Sequence, residues 1–80
     1  MSSVYKPNEA LVERRLAHTV GQAMGVDFEF VSVAVLGQRV VLQGTAPSYV
    51  AKARATESVR QAGFGEIDNR LRVIPGLPAA

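Results

Sequence analysis

The strongest constraint on this chain is a change of hydrophobic period near its middle. From Phe28 to Leu36 apolar residues recur in steps of two, Gly37-Gln38 interrupts them, and Arg39 to Gly44 forms a second run of the same kind. Alternating β-branched side chains suit a pleated strand with one buried face. Two such runs separated by a two-residue break containing glycine predict a tight hairpin. Val31, Val33 and Val35 share a face of the first strand, and Val40 and Leu42 share a face of the second, so these five form the predicted inward set.

The flanking segments have a helical period. Between about Glu9 and Met24, Leu11, Val12, Leu16, Val20 and Ala23 build an apolar stripe, with Glu13, Arg14, His18 and Gln22 on the other side. Asn8 is placed to cap this helix and Gly25 to stop it. After Gly44-Thr45-Ala46-Pro47, Ser48 is the predicted N-cap of a second helix reaching about Ala62, whose stripe of Ala51, Ala55, Val59 and Ala62 is made of small residues. A last alternating stretch, Glu66 to Ile74, turns Ile67, Leu71 and Val73 inward and Asp68, Arg70 and Arg72 outward. Asn69 has inward parity and needs a hydrogen-bond partner there, because an unpaired buried amide costs stability. The order α-β-β-α-β predicts an α+β sandwich. Its three-stranded mixed sheet carries both helices on one face, with the last two strands parallel across a crossover helix. One domain is expected over 9–74, between an N-terminal arm at 1–8 and a tail at 75–80.

Composition narrows the chemistry. Eighty residues hold one thin core, and with no cysteine and a single histidine there is no disulfide framework, thiolate nucleophile or multi-histidine metal clamp. No phosphate-cradling glycine loop or Ser/His/acid spacing appears, so no enzyme, metal or cofactor is expected. The net charge is +2, with three basic and four acidic residues in 1–36 against six and three in 37–80, which allows an anionic partner without requiring one. No apolar leader follows Met1 and no run approaches about 18 apolar residues, so a cytoplasmic chain is expected, with membrane association at most peripheral.

The run Val31-Ser-Val-Ala-Val-Leu-Gly-Gln-Arg-Val-Val-Leu-Gln-Gly44 resembles the BON domain, named for bacterial osmotic-shock-protection and nodulation proteins. Gly63-Phe64, Ile67 and Asn69-Arg-Leu-Arg-Val73 continue the likeness, which covers about Glu9 to Ile74. The resemblance implies the same α-β-β-α-β sandwich and a non-catalytic module that binds phospholipid membranes or other hydrophobic ligands. Gly37, Gly44 and Gly63 are read as turn, strand-exit and helix-stop residues rather than ligand contacts.

Strand parity puts Phe28, Phe30, Ala34, Leu36 and Val41 on the open sheet face, bordered by Arg39, Arg70 and Arg72. An apolar patch with a basic rim suits anionic phospholipid, a protein partner or a second copy of the chain. The alternative for Phe28 and Phe30 is that they precede the strand and fold under the first helix. A secondary basic surface is Lys52 with Arg60, on one side of the second helix, with Arg54 turned away from them. Exposed phenylalanines near arginines could stack nucleic-acid bases, but Gly63-Phe64-Gly65 lacks clamp spacing, so nucleic acid is disfavoured. His18 reads as a surface residue. Two functions follow: a phospholipid or amphipathic-ligand module, or an interaction domain using its open face or edge strand.

Overall fold

A computed structural model describes residues 7–76, with side chains from residue 10 onward. The predicted tail past residue 76 and most of the predicted arm lie outside the described residues, and Asn8, expected to cap the first helix, lies within its first turn instead. The elements are α1 (Pro7–Met24), β1 (Val31–Leu36), β2 (Arg39–Ala46), α2 (Tyr49–Gln61), β3 (Glu66–Asn69) and β4 (Arg72–Val73). The helix thus begins inside the stretch expected to be an arm, with proline in its first turn, where its missing N–H is no loss.

Gly37 at φ 65° opens the two-residue turn between the Leu36–Arg39 pair, and Gln38 keeps a negative φ, the pattern of a hairpin with glycine first. β1 and β2 pair antiparallel, with Val33 opposite Leu42 and Val35 opposite Val40. β3 and β4 both lie parallel to β2. Leu42 faces Asn69 and Thr45 faces Arg72, so the register is unchanged across the gap between them. One predicted strand is therefore two pieces, interrupted opposite Gly44, whose φ of 122° breaks the extended path. A Cβ at Gly44 would overlap the carbonyl oxygen of Phe30, so glycine lets β2 pass beneath the start of β1.

The inward valines close on Leu16, Val20 and Met24 of α1, on Ala51, Ala55 and Val59 of α2, and on Leu71. The small residues of α2 let that helix lie close against both α1 and the sheet. Ser48 caps it as expected, its hydroxyl accepting from the Ala51 N–H at 3.0 Å. Ala62 falls outside the helix as its exposed C-cap.

The stripe of α1 differs from the expected one. Leu16, Ala17, Val20 and Met24 are buried, whereas Leu11 and Val12 are exposed. Burial follows the line of the sheet below, which the helix meets from Glu13 onward. Glu13, expected outward, points to the sheet edge, where its Oε2 accepts from the Val35 N–H at 2.7 Å.

Asn69 turns inward as its parity required, and its partners are present. Its Nδ2 donates to the Lys52 carbonyl at 2.8 Å and to Thr56 Oγ1 at 2.7 Å, while Oδ1 accepts from the Leu71 N–H at 3.1 Å. One side chain thereby pins α2 to β3 and holds the chain through the gap before β4.

Candidate functional site

The outer sheet face is built by Ser32, Ala34 and Leu36 of β1, Arg39, Val41 and Gln43 of β2, and Glu66 and Asp68 of β3. Leu36 is its main exposed apolar residue, and Val41 is half-buried. Register sets Glu66 beside Arg39 and Asp68 beside Val41. Arg70 reaches back to Asp68, with Nη2 and Nε both 2.9 Å from Oδ2. Carboxylates thus interleave with the arginines expected to form a basic rim. Arg39 lies on β2 and Arg72 faces Thr45, six residues further along that strand, which separates them by about 20 Å at the rise of a strand.

Phe28 and Phe30 are not on this strand. Asp27 caps a single 3-10 turn over Phe28–Phe30, its carboxylate accepting from the Glu29 N–H at 3.1 Å while the Phe30 N–H bonds the Asp27 carbonyl at 3.0 Å. This tight turn delays the strand to Val31 and sends the Phe28 ring to α1, where it stacks on His18 with centroids 4.1 Å apart. The alternative reading, in which they precede the strand, describes their backbone. Both rings nevertheless stay partly exposed rather than completing the core. The predicted patch is therefore divided: Leu36, Arg39 and Val41 near the hairpin, Arg70 tied to Asp68, Arg72 at the far end, and Phe28 beside the helix.

A second exposed surface was not singled out from sequence. Tyr49 and Val50, in the first turn of α2, are 76% and 62% exposed. Ile74 is exposed nearby, its N–H bonding the carbonyl of Ala46 at 2.7 Å just before the helix begins. Residues 45–56 and 70–76 contain Lys52, Arg54, Arg70 and Arg72 and no carboxylate. Of the expected basic side of α2, Arg60 engages Glu57 at 3.4 Å near the end of the helix, and Lys52 stands near its start. Periodicity marks the buried stripe of α2 and charge marks its basic side, and neither points to Tyr49 or Val50. Their position immediately after the Ser48 cap is the signal that could have found them.

An open groove of about 410 Å³ separates α1 from β1, lined in part by Ala10, Glu13, Arg14, Ala17 and Val33. Among the described residues, no group of three or more His, Cys, Asp or Glu side chains could hold a metal ion, and no helix is long and apolar enough to cross a membrane.

The described residues form a thin α+β layer with apolar and basic side chains at its surface. The chain belongs to the BON domain family, which it matches over residues 8–75, nearly its whole length. That family consists in general of lipid-, membrane- or protein-binding modules that are not enzymes. No curated protein matches the chain.

Proposed function

We propose that this domain is a non-enzymatic module that docks on anionic phospholipid surfaces through the first turns of α2 and the adjoining β4. The observation that carries the reading is the exposure of Tyr49 and Val50 in the first turn of α2, within a stretch, 45–56, that holds Lys52 and Arg54 and no carboxylate. A tyrosine suits the headgroup boundary, with an apolar ring and a polar tip, and the valine beside it can enter the acyl region. Each cation adds about 1 kcal/mol near an anionic leaflet, and burying the valine adds about 1–2 kcal/mol. The total suits reversible, salt-sensitive attachment rather than permanent anchoring. The groove between α1 and β1 is open to solvent, which favours an extended amphipathic surface over an enclosed small hydrophobic molecule.

The test is co-sedimentation with vesicles of phosphatidylcholine alone or mixed with phosphatidylglycerol, at low and high salt. The parent protein should bind the anionic vesicles and lose most of that binding as salt rises. Val50→Asp and the double change Lys52→Glu with Arg54→Glu should abolish it, while Leu36→Asp on the outer sheet face leaves it intact. Equal binding to neutral vesicles, or unchanged binding by the α2 variants, would refute the assignment.

A further inference from the structure

The open edge of β1 is a self-complementary strand, and we infer that it pairs antiparallel with β1 of a second copy of this chain about a two-fold axis through Val33. This rests on the backbone of β1 and is independent of the lipid surface on α2.

The direction of the backbone groups comes first. The Val35 N–H bonds the carboxylate of Glu13, so it faces away from β2. In an antiparallel pair successive residues alternate in the edge they address. Val31, Val33 and Val35 therefore turn their N–H and C=O groups to the open edge, and Ser32, Ala34 and Leu36 bond to β2. Among the described residues, no strand pairs with that edge. Edge strands are commonly blunted by lysine, proline or a bulge. Val31–Leu36 contains no lysine or proline and pairs with β2 in unbroken register, leaving Glu13 as its guard.

The sequence then selects the partner. Val-Ser-Val-Ala-Val reads almost the same in both directions about Val33. A two-fold there sets Val33 opposite Val33, and Val31 and Val35 opposite Val35 and Val31 of the second copy. Every outward backbone group of the three valines is then used, whereas a slip of two residues leaves some unpaired. The inward valines meet valines, Ser32 meets Ala34, and exposed Leu36 comes level with exposed Phe30 of the other copy.

α1 has the matching symmetry. Ala10, Glu13, Arg14 and Ala17 line the groove beside β1, one or two turns apart on the same side of the helix. With the axis passing between Glu13 and Arg14, Ala10 would meet Ala17 of the second copy and Glu13 would meet Arg14. Small residues allow the two helices to approach, and the opposite charges fall together twice. Glu13 exchanges the Val35 N–H for the arginine of the second copy as the strand takes over that donor.

The natural chain has no cysteine, so introduced ones report cleanly. Ser32→Cys and Ala34→Cys proteins are prepared separately, mixed and oxidised mildly, with sedimentation equilibrium on the parent up to about 1 mM. In the proposed register positions 32 and 34 of opposite copies form the closely spaced pair without hydrogen bonds, within disulfide reach, whereas like positions are offset by two residues. The expected result is a parent dimer and a mixed disulfide formed well ahead of either homodimer. Leu36→Asp should keep the far-UV circular dichroism spectrum and weaken the dimer at least about tenfold. A parent that sediments as a monomer throughout, or a dimer whose mixed disulfide forms no faster than the homodimers, overturns the inference.

Discussion

Replacing Asn69 with alanine should remove about 2–4 kcal/mol of stability. Its side chain makes three hydrogen bonds, to the Lys52 carbonyl, to Thr56 Oγ1 and from the Leu71 N–H. At a net value of about 1 kcal/mol each, their loss accounts for roughly 3 kcal/mol. The partners fare differently once the amide is gone. Thr56 is half-buried and its hydroxyl can rotate to another partner, which lowers the estimate. The Leu71 N–H precedes a side chain only 1% exposed, and leaving it unpaired raises the estimate by up to about 1–2 kcal/mol. Because a domain of this size is stable by only about 4–12 kcal/mol, the change consumes a large share of the total.

Urea denaturation followed by far-UV circular dichroism reads the effect as a lower midpoint at unchanged slope. Asn69→Asp is the discriminating control. It keeps the acceptor for the Leu71 N–H but sets a carboxylate oxygen against the Lys52 carbonyl, which raises the folded-state pKa of the new acid. The penalty is therefore smallest below the unfolded value near about 3.9, grows as pH rises from there to the raised folded value, and is constant above it. A loss below about 0.5 kcal/mol in the alanine variant, or a pH-independent penalty in the aspartate variant, would refute the account of Asn69 as the tie between α2 and β3.

Two further outcomes test the packing around the sheet. Gly44→Ala should cost more than about 3 kcal/mol or prevent folding, because φ 122° is foreign to alanine and its Cβ would strike the backbone of Phe30. A thermal midpoint within a few degrees of the parent would contradict that close approach. Thr45→Val should raise stability by about 0.5–1 kcal/mol, since Thr45 Oγ1 is buried without a hydrogen-bond partner among the described residues and valine keeps its shape. A destabilised valine variant in the same urea titration would mean that the hydroxyl has a partner after all.

The sequence by itself determined the order of elements, the hairpin at Gly37-Gln38, the Ser48 cap and the inward turn of Asn69. Each depends on periodicity or on chemistry within a few residues, and Asn69 followed from parity along one strand. The family likeness was legible for the same reason, because it resides in the spacing of valines, glycines and the Asn-x-Leu-x-Val end.

What escaped the sequence were relations between elements. Phe28 obeys strand parity until the Asp27-capped turn intervenes, and only α1 packed alongside supplies His18 for its ring. Glu13 looked like a solvated face of its helix until β1 brought Val35 beneath it. The parity of Arg39, Arg70 and Arg72 predicts a basic rim, yet register sets Glu66 beside Arg39, and Asp68 engages Arg70. Exposure of Tyr49 and Val50 was likewise decided by packing, as α2 turns Ala51 and Ala55 onto its neighbours and leaves its first turn outside. Local chemistry sets what each segment becomes. Which side chains meet, and which charges cancel, is settled only when the segments are laid against one another.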